Sequence, residues 1–197
     1  MRIVGGRFRG KKLSAPAGLT TRPTTDRLRE TVFNVLQHAY GDPVEGARVL
    51  DLFAGTGAIG LEALSRGAKF TLFVEESAGA RGVLRENAET LGLTGLVRIW
   101  RRDATRLGPA GTLAPFDLCF ADPPYGRGLG TAAFTSAREG GWLKPGAICV
   151  LEETIKDVVE GLDGFTLVER REYGETAVTF FQLDDAAVSE PPVRAQD

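Results

Sequence analysis

From residue 47 onward the chain alternates between two hydrophobic rhythms. Near-continuous apolar runs stand at 47–54 (ARVLDLFA), 70–76 (FTLFVEE), 97–104 (VRIWRRDA), 116–124 (FDLCFADPP) and 147–153 (AICVLEE). Runs of that length read as strands, and their lack of polar alternation marks them as covered on both faces. Between them, 57–68 (GAIGLEALSRGA) and 78–93 (AGARGVLRENAETLGL) read as helices, and 135–146 (TSAREGGWLKPG) as a frayed one. In the second helix Val83, Leu84, Asn87, Ala88 and Leu91 share one side. Residues 165–183 predict two further strands about a turn at Tyr173–Gly174–Glu175. The pattern predicts an α/β fold: a mostly parallel seven-stranded sheet, helices on both faces and an antiparallel C-terminal hairpin.

The first 45 residues follow a different pattern. Residues 3–13 (IVGGRFRGKKL) suit a hairpin with a glycine turn. In 22–40 (RPTTDRLRETVFNVLQHAY), Thr24 or Thr25 can cap a helix with Asp26 in its first turn. Leu28, Val32, Val35, Leu36 and Ala39 recur at helical spacing, and Gly41–Asp42–Pro43 closes the segment. We therefore divide the chain into a basic hairpin-and-helix extension (1–45), a main domain (46–183) and a polar, Pro-containing tail (184–197) expected to be mobile.

Charge adds a partner class. Residues 1–29 hold eight Lys/Arg against Asp26 alone, whereas 152–197 hold four basic residues against twelve acidic ones. A basic end in a chain of net charge −2 points to a polyanion, with Arg7, Arg9, Lys11 and Lys12 as phosphate contacts. Arg27 and Arg29 fit the same role or pairing with Asp26 or Glu30 along their helix. Arg127 could meet a further phosphate. Cys119 and Cys149 sit in apolar strands, where reduced buried thiols are expected. With His38 they make no dedicated metal site, so no metal is expected. No apolar run approaches the length of a membrane helix, and no apolar stretch follows the basic start, so the expected location is cytoplasmic.

Two segments carry chemistry. The first strand runs into DLFAGTGAIG, where Gly55, Gly57 and Gly60 match a nucleotide-binding glycine pattern and Glu75 follows at the end of the second strand. Asp51, at that strand's exit, would oppose a pyrophosphate but suits a cationic ligand. S-adenosylmethionine, with its sulfonium and ammonium, fits better than a dinucleotide. Glu75 can accept ribose hydroxyls, and Asp103 with the Ala104 N–H can reach an adenine amino group, although Asp103 could equally cap a turn. The second segment is Asp122–Pro123–Pro124–Tyr125, at the end of the fourth strand, which neighbours the first in such a sheet. A nucleobase amine is a poor nucleophile because its lone pair is delocalised into the ring. The Asp122 carboxylate and the Pro123 carbonyl can hold its N–H groups, and Tyr125 offers a stacking face worth ~1–3 kcal/mol.

Together, DLFAGTGAIGLEALSRGA and DPPY resemble the Rossmann-like S-adenosylmethionine-dependent methyltransferases that act on exocyclic amines. With GRFRGKKL and RPTTDRLRETVFNVL ahead of them, the chain from about residue 1 to 183 is similar to the RsmD family, bacterial methyltransferases of guanine N2 in 16S rRNA. The resemblance implies S-adenosylmethionine as donor and S-adenosylhomocysteine as product. It implies donor contacts from Asp51, Phe53, Ala54, Gly55, Thr56, Gly57, Glu75, Glu76, Asp103, Ala104 and Asp122. Arg22, Thr24 and Thr25 would close over the methionine end, and Asp122, Pro123, Pro124 and Tyr125 would hold the guanine. It implies a monomer acting on 16S rRNA within a 30S subunit or an assembly intermediate. The glycine-rich stretch 126–134 could be a mobile lid. Alternatives are an adenine-N6 or other amino-methyltransferase, a protein-glutamine methyltransferase, an NAD-dependent oxidoreductase and a non-enzymatic RNA-binding module.

Overall fold

A computed structural model describes residues 1–15 and 23–185, the side chains of residues 23–25 apart. Seven strands form one sheet: β1 (Arg48–Leu52), β2 (Phe70–Val74), β3 (Val97–Trp100), β4 (Phe116–Ala121), β5 (Leu143–Thr154), β6 (Phe165–Tyr173) and β7 (Thr176–Leu183). Their order is β3-β2-β1-β4-β5-β7-β6. The first five are mutually parallel, and β7 runs antiparallel to both β5 and β6. The chain winds outward from β1 to β3, then returns to start β4 on β1's other side. β1 and β4 therefore diverge at their carboxyl ends, the position where open α/β sheets bind ligands.

Both faces of the central strands β1, β2 and β4 are buried, which accounts for their unbroken apolar runs. On one face, α1 (Pro23–Ala39), α2 (Ala58–Ser65) and α3 (Ala78–Thr90) pack Phe33, Leu36, Leu61, Leu64, Leu84 and Ala88 onto Val49, Phe73, Leu118, Phe120 and Val150. On the other, α4 (Leu129–Glu139) sets Ala133, Phe134 and Ala137 against Leu50, Cys119, Cys149, Leu151 and Phe181. Each large buried side chain contributes about 1.5–3 kcal/mol. Trp142 is fully buried and meets Trp100 edge-on at 5.5 Å, so both tryptophans serve packing. Cys119 and Cys149 are register neighbours on β4 and β5, buried and unbridged.

Two local expectations change. Residues 129–134 are not a lid but the first half of α4. A Cβ on Gly130 would come within 2.2 Å of a Leu151 methyl, so only glycine lets the helix lie this close to β5. The Trp142–Gly146 stretch then belongs to the entry of β5 rather than to a frayed helix. Residues 186–197, most of the expected tail, lie outside the described residues.

The N-terminal hairpin is part of the core. Ile3 and Leu13 are buried with the α1 face of the sheet, and Arg2 and Lys12 bridge antiparallel about a 3₁₀ turn at Gly6–Phe8. What holds it is a buried acid on α2. Glu62 accepts the Val4 N–H at 2.8 Å and pairs with Arg66 at 2.7 Å and Arg29 at 3.6 Å. Arg29 is accordingly buried, bonded also to Asp26 and the Arg2 carbonyl. It is an internal strut, and of its two expected roles the pairing with Asp26 is the one found. Ser65 adds a bond to the Gly5 carbonyl and one from the Phe8 N–H.

Removing one partner from a buried charged cluster leaves the others desolvated and uncompensated. Glu62→Ala should destabilise the protein by about 3 kcal/mol, read as a drop in the urea midpoint, with faster tryptic cleavage between Arg7 and Lys12. Glu62→Gln keeps an acceptor for Val4 and should lose less.

Candidate active site

The turn after β1 is tightly specified. Asp51 points into the core beneath α2, and its Oδ2 accepts the Gly60 N–H at 2.9 Å. This satisfies one of the unpaired donors at the start of the helix. Between them the chain makes a compact reversal, with Ala54 N–H donating to the Val74 carbonyl at 3.1 Å and Gly57 N–H to the Ala54 carbonyl at 2.8 Å. Phe53 takes a left-handed φ of 60°, a strain of about 1–3 kcal/mol for a residue with a side chain. Gly60 is demanded by packing: a Cβ there would sit 2.3 Å from the Phe73 ring. Gly55 differs, since a Cβ on it would meet nothing within 4 Å. The space over Gly55 is the open mouth of the switch point.

Carboxylates surround that mouth. Glu75, one residue beyond β2, accepts the Gly55 N–H at 2.8 Å and the Ser77 N–H at 2.7 Å. It thus braces the turn as well as facing it. Glu76 is exposed beside it. Asp103 accepts the Thr105 N–H and hydroxyl at 2.8 and 2.7 Å through one oxygen, Oδ1. The turn-cap role is therefore real, these bonds hold the carboxyl below its usual range, and Oδ2 is left over. Ala104 is buried behind it.

β4 delivers the second segment to the same place. The register pairs Leu52 with Ala121, so Asp122 leaves β4 level with Phe53. Pro123 is buried; Pro124 and Tyr125 face solvent. As a residue Asp122 is exposed, while the surrounding protein desolvates its carboxyl. Its carboxyl is raised well above the usual range, first by this desolvation, then by Glu152 and Asp51. Asp51 is raised to about 7, chiefly by burial; the Gly60 hydrogen bond works against the shift and Glu75 with it. Asp122 thus feels two acids, Glu152 and Asp51, and Asp51 feels Glu75. Among the described residues none of them makes a salt bridge.

Two residues at the site lie outside the motifs. Glu152 follows Leu151, the β5 partner of Ala121, and accepts the Tyr125 hydroxyl at 3.1 Å. Asn87 of α3 is buried; it donates to the Thr56 carbonyl at 3.1 Å and the Ser14 carbonyl at 3.2 Å, and accepts the Ser14 N–H at 2.7 Å. It ties the basic hairpin to the glycine turn. Its sequence signal was a polar residue within an apolar stripe. Glu152 had none, because an acid ending a strand reads as solvated.

Arg7, Arg9, Lys11 and Lys12 are exposed together on the hairpin, with Arg7 over the Phe8 ring. Arg27 is exposed on α1 and Arg127 beyond Tyr125. Arg22 and the side chains of Thr24 and Thr25 lie outside the described residues.

Residues 1–182 match the model of a family described as conserved hypothetical protein 95. Ribosomal RNA small subunit methyltransferase D of Escherichia coli K12 is 36% identical over 186 residues, covering 93% of this chain and 90% of the relative. The protein of that name from Haemophilus influenzae is 32% identical, covering 92% and 93%. The solved structure of yhhF from E. coli, a candidate methyltransferase, superposes with a TM-score of 0.79 at 34% identity over 94% of this chain and 98% of that one. The chain belongs to this family, the RsmD family.

Proposed function

We propose that this protein transfers a methyl group from S-adenosylmethionine to the exocyclic N2 of a guanine in 16S rRNA. The reading rests on the juxtaposition of β1 and β4. An acid-lined glycine turn suited to a cationic donor lies beside an acid–proline–proline–aromatic stop suited to a base amine. The relatives named as small-subunit ribosomal RNA methyltransferases support the substrate class. The substrate is the RNA of a 30S subunit or an assembly intermediate, met by a monomer in the cytoplasm, with the basic hairpin, Arg27 and Arg127 on the phosphates. Among the described residues no helix is long and apolar enough to cross a membrane.

The residues present fit the donor. The open space at Gly55 admits a ligand against bare backbone, and Asp51 and Glu75 offer negative charge, unfavourable to a pyrophosphate and favourable to an ammonium and to hydroxyl donors. Asp51, Phe53, Ala54, Thr56, Gly57, Glu75, Glu76, Asp103 and Ala104 would line it, with Arg22, Thr24 and Thr25 over the methionine end. S-adenosylmethionine supplies an electrophilic methyl group. The chain's task is to present the amine. Asp122 and the Pro123 carbonyl take its two N–H groups, so that the nitrogen lone pair is drawn out of conjugation and aimed at the donor. Proline fixes that carbonyl's direction, and Tyr125 keeps the base flat. The amine sheds its proton only after transfer, to the Asp122 carboxylate or to water, since Asp122 is an exposed residue. Most of the acceleration then comes from positioning and preorganised electrostatics.

The defining measurement is labelled methyl transfer to 30S particles from a deletion strain, with the product nucleoside identified by mass. Asp122→Ala should lower transfer by about 100-fold or more while S-adenosylhomocysteine still binds; normal turnover would remove Asp122 from the mechanism. Binding of NAD without S-adenosylhomocysteine would overturn the methyltransferase reading.

Two glycines separate binding from folding. Gly55→Ala puts a methyl into the donor's space and should weaken S-adenosylhomocysteine binding at least about 10-fold, with a stability loss near 1 kcal/mol from its positive φ of 54°. Gly60→Ala should instead lower the unfolding temperature markedly, by overpacking against Phe73.

Asp51 gives a pH signature. Folding raises its pKa from 3.8 to about 7, so the ligand-free native state binds a proton more tightly than the unfolded chain. Asp51's contribution to stability therefore falls as pH rises from about 4 to about 7 and is flat above. The difference in urea stability between wild type and Asp51→Asn should change over that interval and nowhere else. A bound ammonium favours the ionised form, so donor affinity should decline as pH drops below about 7, less so in Asp51→Asn.

A further inference from the structure

The Tyr125–Glu152 contact bears on which base the site accepts. Asp122 and the Pro123 carbonyl can grip any exocyclic amine, so by themselves they do not distinguish guanine from adenine or cytosine. Glu152 stands next to Asp122 on the neighbouring strand, as the Ala121–Leu151 register requires. One of its oxygens, Oε1, is occupied by the Tyr125 hydroxyl; Oε2 has no hydrogen-bond partner among the described residues. The free oxygen belongs to a carboxylate tethered to the ring on which the base would stack.

The atom beside the reacting amine differs among bases. In guanine it is N1–H, a donor. In adenine it is N1, and in cytosine N3, both acceptors. We propose that Glu152 is a specificity-determining residue that accepts the N1–H of the target guanine while Asp122 and Pro123 hold N2. The proposal rests on the guanine-N2 reading above and supplies a residue-level reason for that base. Facing an adenine or cytosine amine, the same oxygen would meet a ring lone pair, leaving two buried acceptors opposed and unsatisfied. A site built to hydrogen-bond one group rejects an analogue lacking it more strongly than apolar contacts can. Three groups face Glu152: Asp122, Tyr125 and, from α1, Arg29. Tyr125 and Arg29 favour its charged, accepting form, against the effect of burial.

2-Aminopurine isolates this contact, because it keeps the 2-amino group but carries an acceptor at N1. The test is methyl transfer by wild type, Glu152→Gln and Tyr125→Phe to reconstituted particles bearing guanine or 2-aminopurine at the mapped target. Wild type should prefer guanine by about 10- to 100-fold in kcat/KM. Glu152→Gln keeps an acceptor for Tyr125 but offers an amide N–H to the base edge. It should lose guanine activity, gain relative activity on 2-aminopurine and narrow the ratio by about 10-fold. Tyr125→Phe keeps the carboxylate but removes the hydroxyl that tethers it, and should narrow the ratio less than Glu152→Gln does. Equal use of both bases by wild type, an equal loss on both in Glu152→Gln, or a ratio narrowed more by Tyr125→Phe than by Glu152→Gln would each overturn the role given to Glu152. Failure of the underlying reading looks different: wild type would then form no N2-methylguanine on ordinary particles.

Discussion

A carboxylate taken out of water by β1 holds the site together. Asp51 bonds the Gly60 N–H from inside the sheet, and so fixes the start of α2 relative to the strand that precedes it. Everything between is a short loop with no freedom left: Phe53 is forced into a left-handed conformation, and Gly57 can carry no side chain against Leu84. Burying an acid is costly, and Asp51 bears that cost as a pKa near 7. An apolar residue there would pack without penalty but leave the Gly60 donor unpaired. The arrangement spends stability to hold a negative group directly under an open turn.

The rest of the crevice follows the same electrostatic logic. Glu152 and Asp51 both push up the Asp122 carboxyl, and Glu75 adds to the field at Asp51. Like charges at this density are unfavourable in an empty site. They become favourable when a cation enters, and a base edge rich in N–H donors relieves the remainder. The ligand-free crevice carries uncompensated negative charge, which suits the cationic donor proposed above. A dinucleotide would deepen the repulsion at the same glycine turn. The glycine pattern alone does not separate the two ligands; the sign of the surrounding charge does.

Much of this was legible in the chain itself. The strands announced themselves because residues such as Val49, Leu50, Leu118 and Cys119 are apolar on both faces, and the motifs at Asp51 and Asp122 stand at strand ends where ligands bind. The misreadings share a cause. Of the two roles the sequence offers Arg29, the pairing with Asp26 holds, while the roles of Glu62 and Glu152 are not readable from the chain because their partners lie on other elements: Val4 is 58 residues from Glu62, and Tyr125 is 27 from Glu152. Gly130 looked flexible because its close approach to Leu151 is a tertiary fact. Local propensity was overridden wherever charge or glycine met a neighbour across the sheet.

Asn87 shows how the two halves of the substrate problem connect. Phosphate contacts give affinity without choosing a base, whereas the crevice chooses a base but cannot locate it within a large RNA. The basic hairpin and the glycine turn must therefore keep a fixed separation. The hairpin is bound to α2 through Glu62 and Ser65 and to α3 through Asn87, whose amide also grips Thr56 in the turn. Each of these bonds joins residues distant in sequence, and none touches the reacting atoms. A separate domain on a linker would hold RNA just as tightly, yet leave the base free to wander. In the proposed reaction, sharing one core between the hairpin, through Ile3 and Leu13, and the sheet would convert phosphate affinity into placement of a single amine over Asp122.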